Sequence, residues 1–191
     1  MIIGLSGTLA AGKDTVADYL VESEGFDHIS LSTVLRKVAA QKGIEVTMEN
    51  LTKLGNSLKT EYSADYLVKR AKKEADFTRD TVVSSIRQPE EIENLKQEKD
   101  FYMIFVDADV KIRFDRLAKR GRAGDVEDFN TFKEQEEKQL DGQSGGMNLG
   151  RCREMADYII ENNGTMDEFK TEIKRIFGKI KDKTGAKSEA D

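Results

Sequence analysis

One cysteine in 191 residues leaves nothing with which to form an internal disulfide, and a single proline leaves few rigid loops. The lone thiol, Cys152, fits a reducing compartment, so the cytoplasm is the expected location. No apolar run approaches the length of a membrane span. The short one at the N-terminus runs straight into a glycine loop, so no secretory leader is expected. Positive charge is in deficit. With 31 Lys and Arg against 36 Asp and Glu, the net charge is −5, which argues against a nucleic-acid backbone as the main partner. There is no internal repeat and no zinc-type Cys/His cluster. What remains is a soluble chain long enough for one α/β domain with a sizeable core.

The most informative stretch lies at residues 2–15. Ile2-Ile3-Gly4-Leu5 reads as a buried strand, Gly7-x4-Gly12-Lys13 follows, and Val16, Ala17 and Leu20 then mark the apolar face of a helix. Strand, glycine loop, lysine and helix in that order make a phosphate-binding loop. Gly7 and Gly12 permit backbone conformations that a side chain would forbid. The amides of Thr8, Leu9, Ala10 and Ala11 are then expected to face phosphate oxygens at the N-terminus of the new helix. Lys13 would reach the β- and γ-phosphates. Asp14 stands where Ser or Thr is usual, and Thr15 follows, so these two are the candidate Mg²⁺ contacts.

Further strands are expected at 26–30, 81–87, 101–106 and 156–161. Between the second and third lie helical patterns: Leu31 to Arg36 with Ser32 as N-cap, then the Leu51, Leu54, Leu58 face, then Tyr66 to Ala71. Pro89 opens a helix after Arg87. Arg113, Arg116 and Arg120 fall on one stripe of the helix after the fourth strand. Residues 121–150 are polar, with Gly142, Gly145 and Gly146 as hinge candidates and Arg122 at the entry. Thr165 and Glu168 form a capping box before a helix whose apolar face is Phe169, Ile173, Ile176, Phe177 and Ile180.

Taken together, these motifs resemble the P-loop nucleoside and deoxynucleoside monophosphate kinases, adenylate-kinase-like and including archaeal and phage-type members, with a relation to dephospho-coenzyme A kinase. The residues that carry the resemblance are the P-loop itself, His28-Ile29-Ser30 with Leu35-Arg36, Ile86-Arg87-Gln88-Pro89, the arginine stripe, and Ala156-Asp157-x-Ile159-Ile160-x-Asn162 leading into Asn163-Gly164. They span about residues 1–178. The resemblance implies a three-layer fold with a five-stranded parallel sheet and one kinase domain over 1–180. It also implies an acceptor-binding insertion near 31–75, a mobile lid near 121–150 and a flexible tail over 181–191. It implies ATP and Mg²⁺ as cofactors, with Arg116 and Arg120 acting beside Lys13. Asn163 and Gly164 would lie along the donor base, and Ser30, Ser32, Arg36, Lys59 and Arg87 would contact the acceptor.

Two departures from the family pattern stand out. Ser84-Ser85 stand where relatives carry a strand-end aspartate that steers Mg²⁺, and Ser30-Leu31-Ser32 stand where the dephospho-coenzyme A kinases place a carboxylate base, which bears on the acceptor. A nucleoside monophosphate is already anionic near neutrality and needs no base, whereas a sugar hydroxyl is helped by one. The expected activity is therefore ATP-dependent phosphoryl transfer to a (deoxy)nucleoside monophosphate. The alternatives are transfer to a sugar hydroxyl and a nucleotide-binding switch or assembly ATPase.

Overall fold

The computed structural model describes residues 1–121, 128–141 and 146–188. Five strands, β1 (Ile2–Gly7), β2 (Asp27–Ser30), β3 (Thr81–Ser84), β4 (Phe101–Asp107) and β5 (Tyr158–Glu161), form one parallel sheet in the order β2-β3-β1-β4-β5. β1 sits in the middle, paired Ile2↔Thr81 with β3 and Ile2↔Phe101 with β4. Around the sheet run α1 (Lys13–Glu24), α2 (Leu31–Gln41), α3 (Met48–Glu61), α4 (Tyr66–Glu74) and α5 (Pro89–Leu95). After β4 come α6 (Val110–Arg120), α7 (Phe129–Asp141), α8 (Leu149–Glu154) and α9 (Met166–Ser188). This is the three-layer P-loop kinase-like α/β fold that the strand and helix patterns imply.

Strand alternation sorts the core into two layers. Ile3, Leu5, Val82, Ile104, Val106 and Ile160 face α1 and α9, where Phe26 meets Phe177 edge-on at 5.6 Å. Ile2, Val83, Met103 and Phe105 face the other way, onto α2, α4, α5 and α8. Burial on both faces explains why β1 and β4 read as near-continuous apolar runs. A third, smaller cluster joins Leu35, Val38 and Ala39 to Leu51, Leu54 and Leu58 and fastens α3 onto α2.

Three boundaries differ from the sequence reading. α2 is capped by Ser30 rather than Ser32, because the chain stays extended through Ser30 at φ −101°, ψ 123° and turns helical at once. β3 stops at Ser84, since Ser85 adopts φ 64° and breaks the strand there. The expected tail from 181 is helical through Ser188. Past the last buried residue, Ile180, polar contacts carry α9 on: Lys181 pairs with Glu24, and the Thr184 hydroxyl donates to Tyr102 at 3.2 Å. α8, not among the expected helices, buries Leu149 and Cys152. No described helix is long and apolar enough to cross a membrane.

Of the segment expected as a lid, residues 122–127 and 142–145, with Arg122, Gly142 and Gly145, lie outside the described residues. Between them α7 packs on α6 through Phe114, whose ring lies 5.3 Å from Phe129 and 5.7 Å from Phe132.

Candidate active site

The site is built at the carboxyl ends of the central strands, where the sheet hands its chain to the glycine loop. Gly7 ends β1 at φ 147°, and a Cβ there would run into the Val106 carbonyl of the neighbouring strand. Gly12 takes φ 109° to start α1, and a Cβ there would lie 2.7 Å from the Asn162 amide nitrogen. Both glycines are therefore required by close approach as well as by backbone angle. Ala10 also sits at positive φ, 61°.

Four side chains hold the loop from different directions. The Lys13 ammonium donates to the carbonyls of Gly7 (2.9 Å) and Thr8 (2.7 Å). Thr8 donates from its hydroxyl to Asp107 at the end of β4, 2.8 Å away. Asn162, buried just past β5, donates to the Ala11 carbonyl at 2.8 Å. Arg113, buried on α6, donates to the Leu9 carbonyl at 3.4 Å and to Ala108 at 2.6 Å. In a trans peptide the carbonyl and the next N–H point in opposite directions. Tethering the carbonyls of Leu9 and Ala11 therefore also fixes the directions of the Ala10 and Gly12 amides.

Positive charge gathers here. Burial, and next the Arg87 guanidinium, lower the Lys13 ammonium from 10.5 to about 8. Burial, with Arg36 close by, lowers Arg87 in turn. Arg36 and Arg87 line a cavity of about 260 Å³ between α2, α3, α4 and the turn before α5. Neither guanidinium has a hydrogen-bond or ion-pair partner among the described residues. Ser32, Ser85 and Lys59 also line this cavity, with Lys138 and Gln139 of α7 at its rim. The Lys59 ammonium donates to the Gly146 carbonyl at 2.9 Å. Ser30 lies behind, its hydroxyl sharing a 3.2 Å hydrogen bond with that of Ser85. The deeper wall is apolar: Leu35, Leu51, Leu58, Leu67 and Met147.

Glu91 supplies the only carboxylate among the described residues that line this cavity. Its Oε2 accepts from the backbone N–H groups of Arg87 (2.8 Å) and Gln88 (3.1 Å), the capping box that starts α5. Burial raises it to about 7 against those hydrogen bonds.

On the donor side, Arg116 gives one Nη2 to both oxygens of Asn162, backbone at 2.9 Å and side chain at 3.1 Å. Its Nη1 is buried with no hydrogen-bond partner among the described residues. Asn163 caps a turn, accepting from the Asp109 N–H at 2.7 Å, and Gly164 is exposed beside Glu168. The asparagine that touches the loop is thus Asn162, one residue before the pair singled out in the sequence. Arg120 lies on the exposed last turn of α6, away from the cavity lining. Asp14 is exposed and Thr15 half-buried on the first turn of α1. No group of three or more His, Cys, Asp or Glu side chains among the described residues could by itself hold a metal ion.

Asp107, Arg113 and Asn162 are loop contacts that no local pattern in the sequence marks as such. The motif Ala-Asp-x-Ile-Ile-x-Asn already contained Asn162, and that was the one available signal.

Against known proteins, a family model described as an AAA domain matches residues 3–140. A UPF0200/UPF0201 protein of Archaeoglobus fulgidus is 31% identical over 185 residues, 94% of this chain, which spans 55% of that relative's length. Among solved structures, shikimate kinase from Bacteroides thetaiotaomicron superposes with a TM-score of 0.60 at 14% identity, covering 95% of this chain and 98% of that one. Dephospho-CoA kinase from Campylobacter jejuni gives 0.53 at 15% identity, covering 94% and 96%. These two likenesses are of fold.

Proposed function

The chain belongs to the AAA domain family, and on that premise we propose that it transfers the terminal phosphoryl group of ATP to a small phosphorylated acceptor, a (deoxy)nucleoside monophosphate. The observation that carries this reading is the pair Arg36 and Arg87, two guanidiniums with no hydrogen bond or ion pair among the described residues, on the wall of one cavity whose single carboxylate, Glu91, is spent on backbone N–H groups, with Arg87 close to the P-loop lysine. Leaving two guanidiniums unpaired in a half-enclosed site is unfavourable unless an anion completes it. A phosphate accepts two-pronged hydrogen bonds from each.

The residues present fit the nucleotide. The strand-to-helix loop has glycines where a side chain would collide, a lysine turned onto loop carbonyls, and an arginine with a buried, unpartnered nitrogen on the donor side. Mg²⁺ binds mainly through phosphates and water and asks for few protein oxygens. Thr15 and Asp14 would supply them, and the ion would neutralise charge on the transferring group. In the reaction an acceptor phosphate oxygen forms a bond to the γ-phosphorus as the bond to the β-bridging oxygen breaks, and ADP leaves. Arg36 and Arg87 orient the acceptor for in-line attack, with Ser32, Ser30 and Lys59 around it. Lys13, Arg116 and Arg120 balance the charge on the donor, and Asn163-Gly164 flank its base. Residues 1–180 act as one kinase domain, with the 31–75 insertion as acceptor wall and 121–150 as lid. An ATP-consuming enzyme with one buried free thiol belongs in the cytoplasm.

One observation favours a second acceptor. Glu91, raised to about 7 and lining the cavity, has the basicity to take a proton from a hydroxyl. The test is ADP release against a panel of nucleoside monophosphates and hydroxyl-bearing phosphate esters. Arg36→Ala and Arg87→Ala are then assayed on the best acceptor. Each variant should raise acceptor KM at least about tenfold, the value of a lost charge-assisted bond, while ATP affinity stays within about twofold. Equal loss of both ligands would place the acceptor elsewhere. Hydrolysis with no acceptor dependence would point to a nucleotide switch.

A further inference from the structure

Arg113 is an unusual residue for the inner face of α6. It is 4% exposed in a helix that otherwise buries only Leu117. Its Nε donates to the Ala108 carbonyl and its Nη1 to Leu9, and it is ion-paired with Glu136 of α7, with the Phe132 ring 5.8 Å away. A methionine or leucine would fill this space without the cost of burying a charge. The guanidinium must therefore do something that an apolar side chain cannot.

We propose that Arg113 is a positioning residue for the nucleotide loop: it holds the Leu9 carbonyl, and with it the opposed Ala10 amide, in the orientation that receives phosphate, while Glu136 neutralises its charge. Ala10 is the position that needs this help. Its φ of 61° is a strained conformation for a non-glycine residue, so the peptide before it needs a restraint. A planar fork can hold the α6 entrance and the loop together, which a single ammonium cannot. The inference rests on the nucleotide reading above but not on the identity of the acceptor.

The experiment is ADP titration by calorimetry, with thermal melts, on wild type, Arg113→Met/Glu136→Met and Glu136→Gln. The double variant removes both charges, so its stability should stay near wild type, while ADP affinity falls about tenfold or more for the lost tether. Glu136→Gln leaves the fork on Leu9 but strips its counter-charge. Its melting temperature should fall while its ADP affinity stays within about twofold. If the double variant does not fold, Arg113→Lys keeps the charge for Glu136 and should show the same loss of affinity. Wild-type ADP affinity in the double or Lys variant would overturn the proposal. So would an affinity loss in Glu136→Gln as large as in the double variant, since the seat of α7 would then be what matters. Absence of ADP binding by wild type would instead sink the nucleotide reading on which it stands.

Discussion

Replacing Lys13 by methionine should make the ligand-free protein more stable. The ammonium is buried beside Arg87, with Arg113 also nearby, and its pKa falls from 10.5 to about 8. At about 1.36 kcal/mol per unit, the charged form costs the folded state roughly 3 kcal/mol near neutrality. Methionine removes that cost and forfeits two hydrogen bonds, to Gly7 and Thr8, worth about 1 kcal/mol each. The balance is about 1 kcal/mol in favour of the variant, a rise of about 2–4 °C in Tm for a chain of this size. The pH dependence carries the sign. Between pH 8 and 10.5 the unfolded chain keeps a proton on Lys13 that the folded chain has shed. Wild-type stability therefore rises with pH across that window, and the gap to the variant closes. With ADP at a hundred times its Kd, wild type should gain about 2.7 kcal/mol, and the variant little at the same concentration. Urea melts at pH 7, 8.5 and 10, with and without ADP, measure all three effects. A variant less stable than wild type at pH 7, or a gap unchanged to pH 10, would refute the argument.

Two further predictions concern the scaffold. Gly7→Ala drives a Cβ into the Val106 backbone at φ 147°, whereas Gly178, inside α9, has open space around it. Denaturant melts should show a loss of about 3 kcal/mol or more for the first, and a gain of about 0.5–1 kcal/mol for Gly178→Ala. Glu91 has its folded pKa raised from 4.5 to about 7, so its contribution is full below pH 4.5 and lost as pH rises through 7. Glu91→Gln should therefore match wild type at pH 4.5 and exceed it above pH 7, by up to about 3 kcal/mol before the loss of charge on the capping bonds. A constant difference across that range would mean the carboxyl is not desolvated.

The sheet was legible because its strands are short, β-branched or apolar runs bounded by glycine and polar turns, and that shortness separates them from the longer helical patterns. The P-loop was legible because its backbone demands glycine at two fixed positions. The tethers were not. Thr8 meets Asp107 across 99 residues of sequence and Asn162 meets Ala11 across 151, distances at which no local pattern survives. Arg113 was visible only as one of three arginines on a stripe, and spacing cannot say which of them turns inward. Asn162 was not marked as a loop contact for the same reason. At the end of a strand, successive side chains point opposite ways, and only the pairing of β5 with β4 decides which one reaches the loop. The end of α9 was missed because its last two turns are held by Lys181 and Thr184 rather than by apolar residues.

The tether between Asn162 and Ala11 also bears on how the chain matures during synthesis. A ribosome delivers Ala11 of the glycine loop first and Asn162 151 positions later. Through that interval the emerging polypeptide carries the complete phosphate-binding motif but lacks the amide that fixes the Ala11 carbonyl, and β5 has not yet closed the edge of β4. Nascent domains gain their long-range contacts last. A half-made chain would thus carry a slack loop, its Ala11 carbonyl untethered until the edge strand has joined the sheet.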